Sequence, residues 1–131
     1  MRLVVDTNVL VRAVMRDDPA QAAIAAQLLA EAELIAVPTA SLCEFVWVLR
    51  RLYRLGAADI AAAIEALLNA SNVETLRSAV EAGLDVLRAG GDFADGVIAH
   101  EGRLLGGETF ASFDRQAVAI PAGRGVLVRQ L

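Results

Sequence analysis

Four carboxylate side chains occupy positions where a simple solvated charge is not expected. Asp6 and Asp114 each follow an apolar segment with the composition of a buried strand, Glu44 lies in an otherwise apolar helical segment, and Asp95 follows two glycines at a helix start. In parallel α/β sheets, ligands bind outside the carboxyl ends of strands. Oxygen-rich ligand sets without sulfur or imidazole favour Mg²⁺ or Mn²⁺. Such cations hold a phosphate and help to ionise an attacking water, so the pattern predicts phosphodiester hydrolysis.

The aspartates also have a structural interpretation, because Asp is favoured at helix N-termini. Asp6 and Asp114 would cap the helices that follow them. Asp92 would cap a helix whose first turn contains Asp95. From the residues alone, capping and metal binding both remain open, and the two roles are compatible if Asp92 caps the helix and Asp95 binds the metal.

Glu44 has a similar ambiguity. Ser41 and Glu44 match the spacing of a capping box, although Thr39, directly after Pro38, is the better N-cap. A lone carboxylate in an apolar segment is costly unless it is paired or bound to a metal. This cost is the reason for considering a functional role for Glu44.

Length and charge limit the classes of function. The 131 residues fit one domain, residues 1–131, and a hydrophobic fraction of 56% excludes a disordered chain. Sixteen acidic residues against twelve basic ones give a net charge of −4. Nucleic-acid binders are usually basic, so the charge by itself argues against RNA as a substrate. The objection weakens if several carboxylates share a site that cations neutralise.

All twelve basic residues are arginine. Without lysine the chain has no Walker-A phosphate loop and no amine for Schiff-base catalysis. Haloacid-dehalogenase-type phosphatases and response-regulator receiver domains also begin with an aspartate at a strand end, but both normally use a lysine. The chain resembles neither of these families.

From the sequence we expect neither a membrane-spanning segment nor a secretion signal. No apolar run reaches the roughly 18 residues that span a bilayer. Asp6 interrupts the first apolar stretch too early for a signal peptide, and Cys43, the only cysteine, cannot form an internal disulfide. We therefore expect a cytoplasmic protein without a membrane partner.

Strands and helices alternate along the chain. Apolar runs and turn residues predict strands at residues 2–6, 34–37, 73–76, 108–113 and 125–129. Helices are predicted at 8–15, 18–33, 39–53, 58–69, 78–88, 92–105 and 115–119, with Ser78 and Glu81 as a capping box. A core-facing stripe is predicted on the third helix, at Leu42, Phe45, Val46, Leu49, Leu52 and Tyr53. The alternation predicts an α/β fold with a short central parallel sheet flanked by helices (α/β/α).

Four motifs resemble those of the PIN-domain family, particularly the VapC-type toxins of bacterial toxin–antitoxin pairs. They are Val-Val-Asp-Thr-Asn-Val-Leu around Asp6, Glu44 in the helix after Val-Pro-Thr, Asp-Phe-Ala-Asp-Gly-Val-Ile-Ala around Asp95, and Ser-Phe-Asp-Arg around Asp114. They occur in order and cover nearly the whole chain. Gly96 stands where alanine is usual and is expected to loosen the helix, whereas Ser112 keeps the hydroxyl of the commoner threonine.

This resemblance implies a PIN-like fold and a metal-dependent endoribonuclease whose products carry 5′-phosphate and 3′-hydroxyl ends. The catalytic residues, which are also the ligands of Mg²⁺ or Mn²⁺, would be Asp6, Glu44, Asp95 and Asp114. Asp92 would be a supporting acid, and Thr7, Asn8 or Ser112 would orient ligands or water. The resemblance also implies a homodimer inhibited by a VapB-type antitoxin that binds near the active site.

Two other functions are compatible with these motifs. The first is a PIN-like nuclease that processes DNA or ribosomal RNA and is not a toxin; small size and the lack of an appended domain favour the toxin. The second is a non-catalytic PIN module that only binds another protein. Retention of all four carboxylates argues against this second function.

One aromatic and basic cluster has no assigned role in this scheme. Its residues are Trp47, Arg50, Arg51, Tyr53 and Arg54. It would contact RNA through phosphates and stacking, or belong to a core or dimer-interface helix with solvated arginines, which we favour. His100, the only histidine, is interpreted as an ordinary helix residue, because metal-activated water needs no histidine base.

Overall fold

A computed structural model describes all 131 residues, in five strands and seven helices. The chain divides into two compact units, Met1–Leu76 and Arg77–Leu131. Every helix is too short or too polar to traverse a lipid bilayer.

The first unit contains a parallel sheet and four helices. In chain order its elements are β1 (Arg2–Val4), α1 (Thr7–Met15), α2 (Pro19–Glu31), β2 (Leu34–Ala36), α3 (Thr39–Arg51), α4 (Ala57–Asn69) and β3 (Val73–Glu74). The strand order is β1-β2-β3, and Val4 of β1 pairs with Ala36 of β2. Because these strands are parallel, the segments that follow β1 and β2 leave the same edge of the sheet.

The core of the first unit is largely that expected from the apolar spacing. Four members of the predicted α3 stripe are buried: Leu42, Phe45, Val46 and Leu49. Leu52 is 67% exposed, so its predicted core position is wrong. The reason is that α3 ends at Arg51, and the helical spacing no longer governs the residues beyond it.

The second unit contains α5 (Arg77–Arg88), α6 (Phe93–Leu104), β4 (Phe110–Ser112), α7 (Arg115–Gly123) and β5 (Val128–Gln130). β4 and β5 form a parallel pair in which Phe110 lies opposite Val128. The Arg124 guanidinium donates to Asp85, with Nε 2.8 Å from Oδ2, and so joins the end of α7 to α5. The predicted helix at 115–119 is longer than expected and contains Pro121.

Helices α5 and α6 approach each other closely through two glycines. A Cβ atom added to Gly83 would lie 2.6 Å from a ring carbon of Phe93. A Cβ atom on Gly96 would overlap the Ala82 carbonyl oxygen and lie 2.9 Å from the Gly83 Cα. Glycine at position 96 therefore has a packing reason in this chain, since alanine would push the two helices apart.

The predicted parallel α/β fold with flanking helices is confirmed, because every strand pair is parallel. The five strands form two sheets, one in each unit. The Ser78 capping box is not formed as predicted, because α5 begins at Arg77 and places Ser78 inside its first turn. The Ser78 hydroxyl instead lies 3.2 Å from Nε2 of His100 in α6.

Candidate active site

Asp6 lies beyond the carboxyl end of β1 and is the N-cap residue of α1. The Thr7 backbone amide donates to Asp6 Oδ1 at 2.7 Å. The side chain is exposed, and Oδ2 accepts no hydrogen bond. Asp6 therefore caps the helix with one oxygen and leaves the other without a hydrogen bond.

Glu44 does not cap its helix. It lies in the second turn of α3, whose N-cap residue is Pro38 and has no side-chain capping bond. The interpretation of Thr39 as the N-cap and the Ser41 capping box are therefore both wrong. The burial argument for Glu44 is also wrong, because its side chain is exposed to solvent. Its position depends instead on a partner from another element.

That partner is Thr7, which is only 7% exposed. The Thr7 hydroxyl donates to Glu44 Oε2 at 2.9 Å and lies 3.3 Å from the carbonyl oxygen of Ser41. Since a hydroxyl has one proton, the shorter contact takes the stronger share. Through its amide and its hydroxyl, Thr7 contacts both Asp6 and Glu44.

A cleft of about 330 Å³ opens over these residues. Its lining includes Asp6, Asn8, Glu44, Arg12 and Tyr53. The two carboxylates meet there because α1 and α3 follow neighbouring parallel strands. The cleft therefore combines acceptor oxygens with one cation and one aromatic ring.

In the second unit, Asp92 and Asp95 have different surroundings. Asp92 is the N-cap of α6, and its Oδ1 accepts from the Ala94 amide at 3.0 Å. Asp95 is half-buried and its carboxylate accepts no hydrogen bond. Burial, together with the negative charges of Asp92 and Asp114, raises the pKa of Asp95 to about 6. A bound cation would relieve this repulsion.

Asp114 is the N-cap residue of α7, as the capping interpretation predicts. Its Oδ1 accepts from the amides of Gln116 at 2.8 Å and Ala117 at 3.4 Å. The Ser112 hydroxyl accepts from the Asp114 amide at 3.0 Å and fixes the turn after β4. Oδ2 of Asp114 carries no capping bond, so capping leaves one oxygen for another role.

The donor chemistry of these side chains fits a hard cation, since every one is a carboxylate. Asp6 and Glu44 belong to the first unit, and Asp92, Asp95 and Asp114 belong to the second. No group of three or more Asp, Glu, His or Cys side chains is gathered closely enough to hold a metal ion. His100, the only histidine, lies on α6 with its Nε2 3.2 Å from the Ser78 hydroxyl.

Sequence reasoning missed Arg12 and Asp17. Arg12 lines the same cleft as Asp6 and Glu44, and its Nη1 lies 3.2 Å from Asp17 Oδ1. The helical spacing offered a signal, because Arg12 follows Asn8 by one turn and shares its face of α1. Tyr53 belongs to the cluster named from the sequence, whereas Trp47 of that cluster is 57% exposed and is not a core residue.

Comparison with known proteins gives one family. The model of the PIN domain matches residues 3–122 and so runs through both units. A search of curated proteins gives no match to the chain.

Proposed function

The chain belongs to the PIN-domain family, whose members are typically nucleases, and from this premise we propose that it is a metal-dependent endoribonuclease. The observation that carries the proposal is the Asp6–Thr7–Glu44 arrangement. Glu44 has no capping role, yet Thr7 holds it in the cleft that Asp6 lines.

We propose that Asp6, Glu44, Asp95 and Asp114 bind Mg²⁺ or Mn²⁺. Asp95 supports this role, because a bound cation would stabilise the ionised form of a half-buried carboxylate that has no hydrogen-bond donor. When bound, the cation would hold the phosphodiester and help to ionise the attacking water. Thr7 would keep Glu44 oriented, and Asp92 would support the site mainly as the cap of α6.

Asn8 and Ser112 have positioning roles in this proposal. Asn8 is exposed in the cleft beside Asp6 and would orient the substrate or a water through its amide. Ser112 would act through Asp114, since its hydroxyl accepts from the Asp114 amide. Neither side chain carries charge, so both would influence geometry more than metal affinity.

The resemblance to VapC-type proteins supports a finer proposal. The chain would be the toxin of a type II toxin–antitoxin pair, would form a homodimer, and would be inhibited by a VapB-type antitoxin. Expression without an antitoxin should then arrest growth, while expression of Asp6→Asn should not. Light scattering should give a particle larger than the 13.8 kDa chain. Normal growth with soluble, folded parental protein would contradict the toxin role, and a monomer at micromolar concentration would contradict the dimer.

The central test is cleavage of a labelled single-stranded RNA by the full chain. Mg²⁺ or Mn²⁺ should support cleavage, and excess EDTA should stop it. A DNA strand of the same sequence distinguishes an RNA-specific enzyme from a general nuclease. Undiminished cleavage after verified metal removal would overturn the metal-dependent mechanism, and no cleavage of any nucleic acid would favour a non-catalytic binding module.

A further inference from the structure

Arg12 brings positive charge to a cleft that otherwise presents carboxylates. Of the residues that line this cleft, Arg12 is the only cation, and it shares the cleft with Asp6, Glu44 and Tyr53. The chain as a whole has a net charge of −4. A local cation favours the binding of a polyanion in such a cleft.

The Arg12 guanidinium is held by three neighbours. Its Nε donates to Gln21 Oε1 at 2.7 Å, and its Nη1 donates to Asp17 Oδ1 at 3.2 Å and to the Tyr53 hydroxyl at 3.3 Å. The Tyr53 hydroxyl in turn donates to Asp17 Oδ2 at 2.7 Å. The network thus fixes the orientation of the guanidinium plane.

Two donors of this guanidinium are left over. A guanidinium has five N–H groups, and the hydrogen bonds of Arg12 use those on Nε and Nη1. Nη2 donates no hydrogen bond to the protein. An oriented guanidinium edge with free N–H groups matches the oxygens of a phosphate.

Folding stability alone is a weak reason for this network. The side chains of Arg12 and Asp17 are 34% and 45% exposed, and ion pairs at such positions add little to stability. An additional function would account for an arginine that three residues hold in the lining of the cleft.

Building on the ribonuclease function proposed above, we propose that Arg12 and Tyr53 form a subsite for the nucleotide next to the scissile phosphodiester. Arg12 Nη2 binds the neighbouring phosphate. The Tyr53 ring, which lines the same cleft, offers a face on which the adjoining base stacks. Asp17 and Gln21 are positioning residues that hold the guanidinium in place.

The test measures RNA binding separately from cleavage. A labelled single-stranded RNA is titrated with the full chain, with calcium in place of magnesium, and the RNA is checked for integrity. Arg12→Gln should weaken binding by roughly tenfold for every sequence tried. The slope of log affinity against log salt should decrease by about 0.7, as expected when one single-strand phosphate contact is lost.

Two further variants distinguish a phosphate contact by Arg12 from a purely structural role of its side chain. Arg12→Lys keeps the positive charge, although lysine cannot make the same set of hydrogen bonds. It should therefore recover most of the parental slope of log affinity against log salt. Arg2→Gln is the matched control: Arg2 is an exposed arginine paired with Glu33 at 3.4 Å, and it does not line the cleft. It should leave both affinity and slope unchanged, and thermal melts establish that every variant is folded.

Three outcomes would overturn the subsite, and only the last of them also overturns the ribonuclease proposal. If the parental protein binds RNA and Arg12→Gln has the same affinity and salt dependence as Arg2→Gln, Arg12 has only a structural role. The ribonuclease proposal would then still stand. The same conclusion follows if Arg12→Lys loses as much salt slope as Arg12→Gln. If the parental protein binds no RNA at all, the proposed function and the subsite fail together.

Discussion

The Thr7 hydroxyl lies 2.9 Å from Glu44 Oε2, although 37 positions separate the two residues in the chain. Thr7 begins α1, and Glu44 lies in the second turn of α3. The parallel pairing of β1 with β2 brings the starts of these helices together. One buried hydroxyl thereby determines where an exposed carboxylate points.

Replacing Thr7 by valine should reduce RNA cleavage by roughly tenfold, because Glu44 loses the donor that orients it. Thr7→Ser keeps a hydroxyl and should recover most of the rate. The measurement is the cleavage rate at saturating metal, with thermal melts to establish folding. Thr109→Val, at an exposed threonine, is the control and should have no effect. Equal rates for Thr7→Val and the parent would show that Glu44 needs no orientation by Thr7.

Neutral isosteres should distinguish metal binding from helix capping. Cleavage should fall by orders of magnitude when any of the proposed ligands is replaced, in Asp6→Asn, Glu44→Gln, Asp95→Asn and Asp114→Asn. Asn is about as good an N-cap as Asp, so loss of a cap alone should cost at most about 1 kcal/mol of stability. Asp92→Asn should have a milder effect on the rate, because Asp92 is mainly a cap.

The rates of all five variants should be measured beside their metal-free melting temperatures. A parental cleavage rate in Asp6→Asn or Asp95→Asn would show that the proposed active site is wrong. A loss of activity that is always matched by a loss of stability would favour capping over ligation.

Asp95 should make the metal-free protein less stable as the pH rises. Its pKa in the folded chain is about 6, above the ordinary 3.8, so between these values the folded state binds more protons than the unfolded state. The free energy of unfolding therefore falls as the pH rises from about 4 to about 6, and it remains lower above that range. Because the group is partly exposed, the effect should be on the order of 1 kcal/mol.

Asp95→Asn removes this titration and should raise the metal-free melting temperature by about 3 to 5 °C near pH 7.5, with no gain near pH 4. Asp85 offers a control of opposite sign, because hydrogen bonds from Arg124 lower its pKa. Asp85→Asn should therefore lower the melting temperature at neutral pH. Melts in EDTA across this pH range test both expectations, and an equal gain for Asp95→Asn at every pH would contradict this origin of the effect.

Gly96→Ala should destabilise the protein by about 1 to 3 kcal/mol, because the new methyl group overlaps the Ala82 carbonyl oxygen. Gly102 lies in the same helix with nothing within 4 Å of an added Cβ. Gly102→Ala should therefore stabilise by about 0.5 to 1 kcal/mol, through reduced freedom of the unfolded chain. Denaturant unfolding of both variants measures the change in the free energy of unfolding. A Gly96→Ala variant that is more stable than the parent would show that α5 and α6 can move apart without an energetic cost.

Much of the fold was predictable because its signals are local. Helical spacing predicted the burial of Phe45 and Leu49, and Asp-Pro at 18–19 predicted the start of α2, where Asp18 accepts from the Gln21 amide. The alternation of strands and helices predicted parallel pairing. The motif around Asp6 pointed to the PIN-domain family that the match over residues 3–122 shows.

The partners of individual side chains depended on tertiary structure. Glu44 was singled out because its segment is apolar, yet its side chain is exposed and is held by Thr7. Likewise, the sequence shows Gly96 only as a departure from the usual alanine. The structure explains the glycine, because α5 and α6 approach too closely there for a Cβ atom. A residue's periodicity is set by neighbours three or four positions away, whereas its contacts depend on how distant elements pack, and a single sequence records the first but not the second.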